Sequence, residues 1–261
     1  MPEFHKYHGT GNDFIIVDDR GSGTIKNSLN REIISRLCDR HFGIGADGMI
    51  LIQDHPELDF RMIYYNADGL ESTMCGNGGR CAVAYARKAG IITNLAGFES
   101  IDGVHTAAVS KEQNIILSMQ SVQSITAWAT GYILDTGSPH FILFSDRIDG
   151  INVNEEGSRI RYQEHFKPAG INVDFVEYSG NELYVRTYER GVERETLSCG
   201  TGVVASAISA AWRTGTDKNS YSVRTKGGNL RVHFIRTGEM SFGNIMLEGP
   251  AVFVYSGIIE L

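Results

Sequence analysis

The chain has 261 residues, 42% hydrophobic and 21% charged, with a formal net charge of -7. That length buries a substantial core, as one large domain or two of about 130 residues. The acidic balance argues against nucleic acid as the main partner, since phosphate binding needs a basic face, yet leaves room for a small anionic ligand in a local pocket. No run approaches about 18 apolar residues, so no membrane-spanning helix is expected. The short apolar run Phe14 to Val17 is too brief for a secretory leader. Cys38, Cys75, Cys81 and Cys199, with no export signal, point to thiols in a reducing cytoplasm.

In chain order, 14–18 reads as a strand and 29–39 as an amphipathic helix with Ile33, Ile34, Leu37 and Cys38 on one stripe. Strands follow at 49–53 and 59–65, then an alanine-rich helix at 79–89 closed by Gly90. Strands are expected at 104–109, 114–119, 131–135 and 140–144, with a short helix near 154–162. After strands at 172–178 and 182–188 comes a second alanine-rich helix, 203–213, before Gly215. The chain closes with strands at 221–225, 229–236, 244–248 and 251–255. Turns are marked by Asp68-Gly69, Asp102-Gly103, Ser179-Gly180-Asn181, Lys226-Gly227-Gly228 and Thr237-Gly238. Strands this close in sequence pair antiparallel, so the reading is α+β with mostly antiparallel sheets and few helices.

An internal repeat organises the pattern. Residues 60–90 and 183–215 each run strand, polar turn, Glu four residues before a Cys, Cys-Gly-x-Gly, then a small-residue helix. Aligning Cys75 with Cys199 pairs Glu71 with Glu195, Gly76 with Gly200, Gly78 with Gly202 and Ala86 with Ala210. Copies separated by half the chain imply two similar domains: residues 1–120 with the tail from about 250 to 261, and residues 121–249. The polar stretch near 118–125 marks the boundary.

A cysteine just before a helix has a definite chemistry. The first turn leaves N–H groups unpaired, and the summed peptide dipoles put partial positive charge there. A thiolate at that end is stabilised, and the same N–H groups hold a carboxylate. Two such ends facing one α-carbon suit inversion of a stereocentre, one base removing a proton and an acid delivering another to the opposite face. No metal is expected, because neither motif has Cys-x-x-Cys spacing. Cys38 and Cys81 read as core residues. A redox disulfide between Cys75 and Cys199 is an alternative use of the same arrangement.

KYHGTGNDFIIVD (6–18), FGIGADGMILI (42–52), MCGNGGRCAVAYARK (74–88), GSPHF (137–141), GINVDFVE (170–177), RTYERGVERETLSCGTGVVASA (186–207) and LEGPAVFVYSG (247–257) resemble the diaminopimelate epimerase family across essentially the whole chain. The resemblance implies two pseudo-symmetric domains, each a mostly antiparallel, barrel-like sheet around a central helix. It implies conversion of LL-2,6-diaminopimelate to the meso isomer, without pyridoxal phosphate or metal, in lysine and cell-wall precursor synthesis. Cys75 and Cys199 match the catalytic pair. Asn12, Asn66, Asn172, Glu189 and Arg190 match substrate contacts, and Gly76, Asn77, Gly200 and Thr201 match the helix-terminal groups for the reacting carboxylate. His140 is family-like and accessory. Ser138 stands where the family commonly has Asn, removing an amide from the substrate shell, and Gly48 stands where some members carry Gln. The expected partner is a small molecule, with no nucleic acid or membrane; the family tends to form homodimers. Competing readings are a two-cysteine racemase for proline or hydroxyproline, whose members carry His in place of Asn77, a binding protein without turnover, and a dithiol redox protein.

Overall fold

The computed structural model describes residues 1–21, 23–180 and 182–260. Asn181, the last residue of the expected Ser179-Gly180-Asn181 turn, and Leu261, the end of the expected tail, lie outside the described residues. The chain divides into two compact units, Met1–Leu117 with Gly249–Leu261, and Ser118–Glu248.

In the first unit, β1 (Glu3–Gly9) and β2 (Asn12–Asp18) form a hairpin across the two-residue turn Thr10-Gly11. Both turn residues have positive φ (50° and 87°), as a primed turn requires, and for Thr10 that conformation carries strain of about 1–2 kcal/mol. Helices α1 (Thr24–Ser28) and α2 (Arg31–Cys38) then carry the chain to β3 (Gly48–Gln53), parallel to β2. Strands β4 (Phe60–Asn66) and β5 (Glu71–Ser72) lead into α3 (Gly76–Lys88). Next, β6 (Leu95–Ser100) lies parallel to β4, and β7 (Gly103–Val109) and β8 (Ile115–Ser118) follow antiparallel.

The second unit repeats this succession. Strand β9 (Ile125–Trp128) pairs with β10 (Gly131–Asp135), which forms a hairpin with β11 (Pro139–Phe144). Helix α4 (Val153–Arg161) crosses over to β12 (Asn172–Ser179), parallel to β11. Strands β13 (Glu182–Glu189) and β14 (Arg194–Thr196) lead into α5 (Gly200–Thr214), and β15 (Ser220–Thr225) lies parallel to β13. Antiparallel β16 (Gly228–Arg236) and β17 (Phe242–Gly249) follow, and β18 (Val252–Ile258) pairs with β1 in the first unit. The architecture is thus sheet-dominated α+β. Among the described residues each unit has two parallel pairings, and each of these is bridged by a helix-bearing crossover, as chain geometry demands.

Helices α3 and α5 are each wrapped by strands of their own unit. In α5 every residue from Gly202 to Ala211 is buried, and in α3 so is every residue from Gly76 to Val83. Small side chains predominate along both helices and let the strands close in. On the opposite sheet faces, α2 and α4 pack through Ile34 and Leu37, and through Val153 and Ile160. Strands between two helix layers are covered on both faces, which explains unbroken apolar runs such as Phe14–Val17 and Met49–Ile52. Cys38 and Cys81 are core residues, 3% and 0% exposed.

One charge lies inside α3. Arg80 is fully buried, and its guanidinium donates to Asn77 Oδ1 (2.8 Å), Gly76 O (3.2 Å), Thr10 Oγ1 (3.4 Å) and Pro250 O (3.4 Å). It ties the central helix to the strained Thr10 turn and to the returning C-terminal segment. Arg80→Met keeps the length and removes the donors, leaving buried acceptors unpaired. Urea unfolding should show a loss of about 2–4 kcal/mol; a change within about 0.5 kcal/mol would show that Arg80 does not hold this corner together.

Candidate active site

Both buried helices begin directly after a cysteine. Cys75 is the N-cap of α3 (φ -87°, ψ 129°) and Cys199 the N-cap of α5 (φ -113°, ψ 112°), and neither side chain caps its own helix. The strand, short β-arm and Cys-Gly-x-Gly turn bring each sulfur to a helix end where unpaired N–H groups concentrate positive potential. All four cysteines are thiols.

In the first unit, Cys75 is half-buried and its Sγ lies 3.6 Å from Asn12 Oδ1. The Asn12 amide has its orientation fixed: Nδ2 donates to Asp47 Oδ2 at 2.8 Å, so Oδ1 turns to Cys75 and also accepts from Asn77 Nδ2 at 3.2 Å. Asp47 is paired with Arg40, which also grips Asp13, and Asp13 pairs with Lys6, each at 2.7 Å. Burial alone would raise the Asp13 carboxyl, but hydrogen bonds and charge from Arg40 and Lys6 outweigh it and hold the group far below the usual carboxylate range. Gly76 and Asn77 make the first turn of α3, with the Asn77 side-chain oxygen Oδ1 taken by Arg80. Asn66 is exposed at the end of β4, where its backbone N–H donates to Leu70 O at 2.9 Å.

In the second unit the expected residues form one connected network. Cys199, 7% exposed, lies 3.4 Å from Thr201 Oγ1, which lies 2.9 Å from His140 Nε2. His140 Nδ1 contacts Asp174 Oδ2 at 2.6 Å, and Thr187 donates to Asp174 Oδ1 at 2.6 Å. Asn172 Nδ2 donates to Ser138 Oγ (2.8 Å) and Pro139 O (3.0 Å), while its Oδ1 accepts the Arg190 backbone N–H at 2.8 Å. The Arg190 guanidinium reaches Ser138 Oγ at 3.4 Å and Ala169 O at 3.3 Å. Ser138 is therefore engaged with both Asn172 and Arg190. Gly200 opens α5, and Glu189 stands half-buried at the end of β13. Burial pushes the Cys199 thiol well above its ordinary range; the charges of Glu189 and Asp174 add to this, and hydrogen bonding with Thr201 opposes it.

The structure adds residues that the sequence patterns passed over: Thr10, Asp47 and Arg80 around Cys75, and Thr136, Asp174 and Thr187 around Cys199. Thr136 Oγ1 donates to Thr201 O at 2.9 Å, steadying the first turn of α5. Asp174 had a readable signal, an acid inside the apolar run of β12. Its position also accounts for Gly202, where an added Cβ would fall 2.3 Å from Asp174 Oδ1. Among the described residues, no His, Cys, Asp and Glu side chains group as metal ligands, and no helix is long and apolar enough to cross a membrane.

This repeated plan is the fold of a known class of two-unit proteins. The solved structure of a phenazine biosynthesis protein of the PhzF family from Bacillus anthracis matches with a TM-score of 0.78 at 16% identity, covering 100% of this chain and 99% of that one. A probable proline racemase from Agrobacterium radiobacter matches with a TM-score of 0.69 at 16% identity, covering 100% and 93%. Within that class, the diaminopimelate epimerase family model matches residues 4–125 and 132–254. Diaminopimelate epimerase from Flavobacterium psychrophilum is 46% identical over 258 residues, covering 98% of this chain and 100% of that protein. The Chlorobaculum tepidum diaminopimelate epimerase is 42% identical over 262 residues, covering 97% and 99%. The chain belongs to the diaminopimelate epimerase family.

The ion pairs beneath Asn12 carry a pH signature. A carboxyl held below its unfolded value stabilises the fold above pH of about 4, and that contribution is lost as pH falls through the folded value. Asp13→Asn should therefore cost about 1–3 kcal/mol at pH 7 and lose less stability than the parent on acidification below pH of about 4. Parallel acid-side profiles of folding stability for the two proteins would refute the assignment.

Proposed function

We propose that this chain is an isomerase that interconverts LL-2,6-diaminopimelate and meso-diaminopimelate by moving an α-proton between Cys75 and Cys199. The observation that carries the proposal is the repeated placement of a cysteine at the N-cap of a buried helix, once in each unit. The names of the 42–46% identical relatives supply the substrate. In this reading residues 1–120 with the tail from about 250 form one epimerase domain and residues 121–249 the other, each supplying one of the two cysteines.

The hard step is making a carbanion without a cofactor as electron sink. Helix N–H groups at Gly76, Asn77, Gly200 and Thr201 receive the reacting carboxylate and stabilise it as it takes on enolate character. One cysteine takes the proton as a thiolate and the other delivers one as a thiol, and burial with the charges of Glu189 and Asp174 favours the thiol form of Cys199. Diaminopimelate carries a second amino-acid head, so the distal end needs a fixed cation and anion. Arg190 and Glu189 serve there, Arg190 with its planar fork suited to a carboxylate, and Asn12, Asn66 and Asn172 complete the polar contacts. Ser138 and His140 are accessory, supporting Asn172 and Thr201.

The exposed apolar side chains Val252, Val254 and Ile258 on β18 support a homodimer, and the thiol content supports residence in the cytoplasm. Val254→Lys should convert the dimer to monomer by sedimentation velocity; a parent sedimenting as a monomer would rule the dimer out. Cys75→Ala and Cys199→Ala should each lower epimerisation at least about 10³-fold while ligand binding persists. Incorporation of deuterium from D2O into LL-diaminopimelate reads the chemistry. Undiminished turnover in either single variant would refute the two-base mechanism.

A further inference from the structure

The turn that carries Glu189 and Arg190 is held from behind by a side-chain cluster that the internal repeat does not predict. Strands β13 and β14 meet across it, with Glu189 opposite Arg194, and the Glu193 N–H closes it on Glu189 O at 2.8 Å. In the first unit the equivalent turn, between β4 and β5, closes through its own segment. Asn66 N–H donates to Leu70 O and Gly69 N–H to Asn66 O, each at 2.9 Å, and Asp68 Oδ1 takes the Leu70 N–H at 3.0 Å. In the second unit groups from outside the turn take a share of the work.

Glu193 Oε1 accepts the Gly191 N–H at 2.9 Å and Arg161 Nη2 at 3.0 Å. Its Oε2 accepts the Tyr162 hydroxyl at 3.1 Å and the Tyr188 hydroxyl at 3.2 Å. Arg161 Nε reaches Oε1 at 3.2 Å and Oε2 at 3.3 Å. Glu193 itself has φ 57°, a left-handed conformation that a residue other than glycine keeps only where its surroundings hold it. Burial would raise its carboxyl, but hydrogen bonds from Arg161, Gly191 and Tyr162, with the Arg161 charge, outweigh it and keep the group below its usual range. An ion pair standing free in water would contribute little. Here the Arg161 side chain is only 13% exposed, and donors occupy both carboxylate oxygens.

Arg161, the last residue of α4, also braces the other segment that touches Arg190. Its guanidinium lies against Gly170, where an added Cβ would fall 1.3 Å from Nη1. On one side of Gly170 in the chain is Ala169, whose O accepts the Arg190 guanidinium at 3.3 Å. Two residues beyond it is Asn172, whose Oδ1 accepts the Arg190 backbone N–H at 2.8 Å. One arginine thus supports both the turn bearing Arg190 and the segment on which Arg190 rests.

We propose that Arg161 and Glu193 are positioning residues for the distal amino-acid head of the substrate, acting through the turn that aims Glu189 and Arg190. The inference rests on the function proposed above and assigns the recognition of the second head to a frame built before the substrate arrives. The physical reason is preorganisation. On a loose turn, a distal carboxylate would have to order both the backbone and the long Arg190 side chain on binding; on a held turn it finds the planar fork already aimed. An interaction made with a remote part of the substrate, equally in ground state and transition state, sets KM and leaves kcat nearly untouched.

The test is steady-state kinetics with LL-diaminopimelate in D2O, comparing the parent with two variants. Glu193→Gln keeps the shape and removes the charge; Arg161→Lys keeps the charge and removes the fork. Each should raise KM at least about fivefold with kcat changed less than about threefold. A variant that only loosened the fold would leave less active enzyme, lowering kcat at an unchanged KM. That pattern, or kinetics equal to the parent's, overturns the proposal. Amide hydrogen exchange followed by NMR reads the frame without turnover: the N–H groups of Gly191 and Glu193 should exchange at least about tenfold faster in Glu193→Gln than in the parent. Equal protection overturns the proposal as well. If Glu193→Gln fails to fold, Arg161→Lys alone decides on the same two measurements. A parent that incorporates no deuterium overturns the function itself, whereas an active parent with unshifted variants overturns only the role of Arg161 and Glu193.

Discussion

The constraint beneath everything else is that a helix runs through the middle of each unit and must be thin enough to fit there. Helix α5 meets it with Gly, Ala, Val and Ser and a single Ile along its buried length, and α3 does so with Gly, Ala, Cys and Val, conceding room to Asn77, Arg80 and Tyr85. Enclosure by strands then makes the helix N-terminus a fixed object: it cannot fray, and its N–H groups keep one direction. A cysteine at the N-cap inherits that fixed position. The chemistry of the site follows from the packing of the helix behind it.

The same plan produces two different sulfur environments. Around Cys75 the neighbours are amides held by hydrogen bonds to charged side chains, Asn12 by Asp47 and Asn77 by Arg80. Around Cys199 they are a hydroxyl, an imidazole and a carboxylate in series. The repeated glutamates diverge as well: Glu195 pairs with Arg186 and Lys226, while Glu71 stands exposed on β5. Repetition preserves the backbone and the helix end, and divergence acts on what touches the sulfur.

Much of this was legible in the residues. The Cys-Gly-x-Gly repeat located both helix ends, because glycine and small-residue runs have few other uses at that spacing. The apolar strands followed from composition, since coverage on both faces leaves long runs such as FIIV and MILI. Strand β1 was not legible: EFHKYHG mixes charge with aromatics, and Lys6 is buried there with its ammonium paired to Asp13 of the neighbouring strand and bonded to Gly45 O. Strands β6, β9 and β14 are short or polar and exist through pairing, which a local pattern does not encode. Asp174 and Asp47 were passed over for a related reason. Their partners, His140 and Asn12, lie 34 and 35 residues away, and only the parallel pairings of β11 with β12 and of β2 with β3 bring them together.

The slender central helices also set where such a protein is able to diversify. Enlarging almost any side chain of α5 would push against the surrounding sheet, so change in the shaft is suppressed by sterics. The loops and strand ends that meet the helix tip are under no such restriction, as the seat of Ser138 in the second unit shows. Latitude is therefore left to the rim, where a few side chains around the two helix tips can be exchanged without disturbing the frame.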